Sequence, residues 1–183
     1  MNREWAINLV KQHIKKPNLI KHVIAVGGCM KRLANYFNEN EERWEIAGIL
    51  HDLDYEYTNE DPQNHPEMGV NILRELGFND EEILHAILAH NNKVPLETLM
   101  DKALYLSDPT SGFIVACALI LPQKNLDYVD VDFMLRRFKE KSFAKGANRK
   151  QILRCKELLN LELSEFLNLC LEGLKLVRSE LEL

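Results

Sequence analysis

Apolar residues recur at three- and four-residue spacings along most of this chain. No window of five or more residues alternates apolar and β-branched positions with polar ones. The pattern predicts an all-α protein of about nine helices. The first runs from about Arg3 to Lys16, with Trp5, Leu9 and Val10 on one side and Pro17 ending it. The second starts near Asn18, carries Val23, Val26, Met30, Leu33 and Phe37 as one stripe, and ends by Asn38 to Asn40. The third, Glu41 to Asp52, sets Trp44, Ala47, Gly48 and His51 on one face, so His51 points inward.

Leu53 to Gln63 is polar and turn-like, and Asn64-His65-Pro66 then places a proline at the first position of a helix ending at Leu76-Gly77. Asn79 reads as the next N-cap, with Glu82 three residues on and Phe78 and Ile83 as a hydrophobic staple. On that helix Ile83, Ile87 and His90 share a face, whereas His85 is rotated roughly 140° from His90. His90 is therefore internal, and His85, like His13, belongs to the surface. A helix from Leu96 to Asp108 follows. A separate, very apolar helix from Phe113 to Leu121, capped by Thr110 or Ser111, is expected at the centre of the core. Asp130 to Lys141, Asn148 to Leu158 and Ser164 to Leu181 supply three more amphipathic helices. With no repeat and no long linker, residues 1–183 read as one helical domain, with C-terminal helices from 113 onward packing on a core at about 18–112.

Composition narrows the class. The chain is 46% hydrophobic and 28% charged, which excludes disordered and collagen-like chains. The longest apolar run, Phe113 to Leu121, is nine residues, half of what a membrane span needs. Charged residues run through the N-terminal segment without a leader-like pattern, so a cytoplasmic protein is expected. Cys29, Cys117, Cys155 and Cys170 form no C-x-x-C pair and read as reduced, packing cysteines. A net charge of −5 argues against a nucleic-acid partner. Nothing in the sequence bears on oligomeric state.

Six residues carry the chemistry: His22, His51, Asp52, His65, His90 and Asp108. Each lies on an inward face or at a helix end, and imidazole plus carboxylate is the donor set of hydrolytic metal sites. His51-Asp52 is the most specific pair, because a carboxylate at that helix end can bridge two ions while the adjacent imidazole binds one. Asp54 and Glu56 read as polar loop residues, with Asp54 near enough to stand behind the cluster. Asp101, seven residues before Asp108, reads as a capping or salt-bridge residue.

The order His22, His51-Asp52, Asp108 on successive helices, with Gly48-Ile49-Leu50-His51-Asp52, resembles the HD-domain superfamily of metal-dependent phosphohydrolases. His65-Pro66-Glu67-Met68-Gly69 and Ala89-His90-Asn91 resemble elements of the members that hold two ions. The resemblance implies that His22, His51, Asp52 and Asp108 bind one ion, and that Asp52 bridges to a second held by His65 and His90. One or two divalent ions follow as cofactor, Fe or Mn favoured, with Mg, Co, Ni and Zn as alternatives. Asp52 and His51 are then the catalytic residues, and the substrate is a nucleotide or another small phosphorylated metabolite. Tyr105-Leu106-Ser107-Asp108 to Gly112 and Lys141 to Arg149 resemble a branch of HD hydrolases without an assigned substrate. Two departures stand out. Members that cleave cyclic dinucleotides have glycine and lysine where this chain has Asp54 and Tyr55, and Pro109 follows Asp108 where the nearer branch commonly has Glu. Two rival classes fit the same residues: a di-iron oxygenase and a non-catalytic regulatory module.

Charge distribution adds a candidate of its own. Ten basic and four acidic residues lie between Lys124 and Lys156 in an otherwise acidic chain. A basic segment beside carboxylates suits a polyanionic substrate, the competing reading being a solvated helix face. Lys141, Lys145 and Arg149, flanking Gly146 and Asn148, are the candidate phosphate-binding residues.

Overall fold

The computed structural model describes all 183 residues and is built from helices alone. In chain order these are α1 (Arg3–His13), α2 (Pro17–Phe37), α3 (Glu41–Leu50), α4 (Tyr55–Thr58), α5 (Glu67–Glu75) and α6 (Glu81–His90). They are followed by α7 (Leu99–Leu119), α8 (Val131–Phe138), α9 (Arg149–Ile152), α10 (Cys155–Leu159), α11 (Leu163–Leu176) and α12 (Arg178–Leu181). The all-α expectation holds; the number of segments exceeds nine because two C-terminal helices are interrupted and because the short α4 forms within Leu53 to Gln63, expected as turn-like. At Arg154 and again at Val177 the backbone tightens to an i→i+3 hydrogen bond, Arg154 N–H to Gln151 C=O and Val177 N–H to Leu174 C=O.

The core forms around α2, which packs against α3, α7 and α11. At the α2–α3 crossing, Gly27 meets Gly48: a Cβ on Gly48 would lie 2.8 Å from the Gly27 backbone. Any side chain there would force the helices apart. Their close approach sets His22, on the first turns of α2, beside His51 and Asp52 at the end of α3. Asn40 and Asn2 cap α3 and α1 by accepting from the N–H of Arg43 and Trp5. Buried apolar residues form one continuous cluster from Ala6 to Leu181.

Four local expectations are corrected. The segments expected as two helices, Leu96 to Asp108 and Phe113 to Leu121, are one 21-residue helix that runs through Pro109. Proline lacks the N–H that would satisfy the carbonyl four residues back, and the side chain of Gln151 donates to that carbonyl, Tyr105 C=O, instead. Thr110 and Ser111 are not N-caps, because their hydroxyls donate backward to Leu106 and Asp108 carbonyls. The far end of the apolar run is not central, since Leu119 and Ile120 are half exposed. Finally, Asp80 rather than Asn79 caps α6, accepting from the Ile83 N–H. Glu82 pairs with Arg43 instead of closing a capping box.

Candidate metal centre

Four helices and one loop deliver the six predicted residues to one place. His22 comes from α2, His51 and Asp52 from the turn ending α3, and His65 from the loop before α5. His90 ends α6, and Asp108 sits just before the proline of α7. The Nε2 atom of His22 lies 3.1 Å from Asp108 Oδ1 and 3.7 Å from Asp52 Oδ2. His51 Nε2 lies 3.4 Å from the same Asp52 Oδ2. The other oxygen, Oδ1, faces His65 Nε2 at 3.4 Å and His90 Nε2 at 3.6 Å. Asp52 thus turns one oxygen to each of two groups of donors.

Every imidazole is held so that Nε2 faces the cluster. His51 Nδ1–H donates to Gly48 C=O at 2.7 Å, and His90 Nδ1–H donates to Ile87 C=O. A carbonyl can only accept, so Nδ1 carries a proton, and in the neutral ring Nε2 keeps its lone pair. Ser111, whose own proton is used on Asp108 C=O, accepts from His22 Nδ1–H at 3.4 Å. His65 differs: its Nδ1–H donates to the Asp54 carboxylate at 2.7 Å. Asp54 is fully buried, and its second oxygen accepts the Gly69 N–H at 2.8 Å. A Cβ at Gly69 would press on that carboxylate at 3.3 Å, which accounts for glycine at this position.

The electrostatics suit a cation. Burial pushes His51 down to about 4, so it is neutral near pH 7. Burial also opposes ionisation of Asp52, but the imidazoles of His51, His90 and His22 outweigh it and hold the carboxyl well below the usual range. Asp108 is lowered likewise, where the His22 hydrogen bond and the field of His51 overcome burial. His51 Nε2 is buried without a hydrogen-bond partner. A lone pair orphaned in this way, ringed by ionised carboxylates, fits a divalent ion. Two overlapping donor groups have ligand atoms close enough to share an ion: His22, His51 and Asp108, and His51, Asp52 and His90.

The cluster opens into a cavity of about 440 Å³ whose rim carries Tyr55, Asn91, Asn92 and Gln151. Tyr55 stands edge-on to His65, ring centroids 5.8 Å apart. These four were not candidates in the sequence. Gln151 gave no local signal at all, because only the carbonyl freed by Pro109 draws it in from 42 residues beyond. His13 and His85 lie outside the cluster: His13 Nδ1 pairs with the Tyr57 hydroxyl, and His85 Nδ1 lies 3.0 Å from Asp101. Asp101 completes a capping box with Thr98 at the start of α7.

The basic candidates separate. Arg149 is not free to meet a phosphate, because its guanidinium donates to the carbonyls of Phe138, Glu140, Phe143 and Ala144 and lies over the rings of Phe113 and Phe138. It fastens the loop between α8 and α9. Lys141 and Lys145 are exposed and form no ion pair. Ala144, Gly146 and Ala147, around Lys145, line a cavity of about 290 Å³ together with His22 and Asp108. The loop therefore borders the cluster through Ala144, Gly146 and Ala147, while Lys145 between them is exposed.

Residues 19–118 match the HD domain family. The chain is 30% identical over 128 residues to a symmetrical bis(5'-nucleosyl)-tetraphosphatase of Bacillus subtilis (strain 168), covering 59% of this chain and 68% of that protein. A protein of the same description from Halalkalibacterium halodurans is 29% identical over 128 residues with the same coverage. A ribonuclease Y of Salinispora arenicola is 28% identical over 95 residues, 52% of this chain and 16% of that protein. No solved structure gives a significant match. No helix is long and apolar enough to cross a membrane.

Proposed function

The chain belongs to the HD-domain family, and on that premise we propose that it is a metal-dependent hydrolase of a phosphate ester or anhydride, acting on a nucleotide or a related small phosphorylated metabolite. The observation that carries this reading is the division of Asp52, with one oxygen toward His22 and His51 and the other toward His65 and His90. His22, His51, Asp108 and Asp52 are the ligands of a first ion, and Asp52, His65 and His90 those of a second. When bound, such ions polarise a phosphoryl oxygen and lower the pKa of water toward about 7. The protein's part is electrostatic and positional. Asp52 and Asp108 stay ionised, the Nδ1 hydrogen bonds keep each imidazole in its donor tautomer, and Asp54 adds negative charge behind His65. The side chains of Asn91, Asn92 and Gln151 at the rim supply neutral donors for the non-bridging oxygens, and Lys145 a positive charge at the loop edge. Tyr55 in the place of a lysine leaves the inner site without a fixed cation, which disfavours cyclic dinucleotide chemistry. The continuous core supports residues 1–183 acting as one unit.

The nucleotide preference is supported by the similarity to bis(5'-nucleosyl)-tetraphosphatases over 59% of the chain. Phosphate release from mononucleotides, nucleoside polyphosphates and bis(5'-nucleosyl) tetraphosphates, with Mn, Fe, Co, Ni or Mg supplied in turn, tests it. Release that a chelator abolishes is the expected result. No release from any phosphorylated compound, together with bound iron and oxygen uptake, would transfer the site to oxygenase chemistry.

A further inference from the structure

His22 also lines a second chamber of about 450 Å³, within the size range of small-molecule sites. It is walled by α2, α7, the end of α12 and the two residues after it. Ala25, Val115, Leu119, Leu181 and Leu183 make it largely apolar, while Asn18 places a carboxamide at its edge. The Lys21–Glu182 ion pair, 2.6 Å, closes part of the outer wall. His22 lines this chamber, the 440 Å³ cavity of the metal centre and the 290 Å³ cavity beside the basic loop, and Gly112 lines both the chamber and the loop-side cavity.

Gly112 is the informative residue. It lies inside α7, one turn beyond Asp108, where glycine weakens a helix relative to alanine. Packing does not require it, since a Cβ there meets no atom within 4 Å, unlike the crossing glycines of α2 and α3. Nor does its backbone occupy the left-handed region. Gly112 is exposed, and the missing side chain leaves the surface clear where two cavities that both reach His22 meet.

Resting on the phosphohydrolase reading, we infer that this chamber seats the nucleoside base of the substrate, the sugar and phosphate chain passing Gly112 to reach the His/Asp cluster. Leu, Val and Ala walls fit the two faces of a flat heteroaromatic ring. The donor and acceptor of the Asn18 carboxamide match the polar edge of a base, for which an acyl chain would have no use. A substrate held at both ends is also oriented at the reacting bond, which is where binding energy becomes rate.

The test compares a nucleoside triphosphate with inorganic tripolyphosphate, which has the phosphate chain without the base. In the metal-loaded protein, Gly112→Leu is expected to lower the nucleotide-over-tripolyphosphate ratio of kcat/KM at least ten-fold, and Gly112→Ala by less. The thermal midpoint of Gly112→Ala stays at or above that of the unaltered protein. Leu119→Trp, narrowing the exposed end of the chamber, lowers the same ratio and covers the case in which Gly112→Leu does not fold. In parallel, saturation-transfer NMR with adenosine alone, independent of turnover, is expected to detect binding that Gly112→Leu abolishes. A ratio unchanged within two-fold in folded Gly112→Leu and Leu119→Trp, or an adenosine signal that persists in both, overturns the chamber assignment. If the unaltered protein hydrolyses neither compound, the phosphohydrolase reading fails instead, and the adenosine experiment still decides the chamber.

Discussion

Removing the Asp54 carboxylate separates a residue that merely fills a loop from one that organises the second half of the metal centre. In Asp54→Ala, His65 Nδ1–H and Gly69 N–H lose acceptors at 2.7 and 2.8 Å in a site closed to water. Hydrogen bonds to a charged group contribute roughly 1.5–3 kcal/mol each, and relief of the buried carboxylate's own desolvation offsets part of that, so folding should weaken by about 2–4 kcal/mol. The functional effect is directional. His65 loses the anion that fixes its ring and raises its basicity, and metal affinity at such sites falls about 10- to 100-fold when the supporting carboxylate goes. Because the Nδ1 partners of His22 and His51 are a hydroxyl and a backbone carbonyl that the substitution leaves alone, only the ion held by His65 should be affected. Competition titration of the folded variant against a chromophoric chelator, with thermal melts alongside, resolves the two effects. Asp54→Asn, which keeps one acceptor oxygen, should fall between. Two ions held at unaltered affinity in Asp54→Ala, or equal loss of both, would refute the reasoning.

Other substitutions distinguish the remaining roles. Arg149→Ala should destabilise the fold by about 3 kcal/mol, since several charge-assisted bonds to carbonyls go together and do not add in full, as a urea melt would measure. Its metal content should match the unaltered protein. Lys145→Ala with Lys141→Ala should leave stability within about 0.5 kcal/mol and metal content unchanged while kcat/KM falls ten-fold or more, roughly 1.5–3 kcal/mol of lost contact to a phosphate. An unchanged kcat/KM would make both lysines solvated surface. His85→Ala and His13→Ala should retain full metal by elemental analysis, and loss in either would show that a histidine outside the cluster is a ligand.

Helical spacing turned His51 and His90 inward while His85 faced away, and the order of His22, His51-Asp52, His65, His90 and Asp108 was legible as a resemblance to a known family. Interactions between distant segments were not legible in that way. Asp54 looked like loop polarity until the chain folded His65 and Gly69 onto it. The two helices expected on either side of Pro109 are one because the freed Tyr105 carbonyl is met by Gln151 from another helix. Arg149 stood among convergent basic residues in the sequence, and only the path of residues 138–147 shows its guanidinium wrapped in backbone carbonyls. Net charge along a segment says that cations are near one another, and folding decides which of them are already committed.

Asp52 is the residue shared by the two groups of donors. Elemental analysis of protein purified without chelator, for the unaltered chain and for Asp52→Ala confirmed as folded by circular dichroism, tests that claim most directly. The expected result is up to two divalent ions per chain in the unaltered protein and loss of both groups' metal in Asp52→Ala. Full occupancy in Asp52→Ala, or no metal in the unaltered protein after incubation with Mn or Fe, would contradict it.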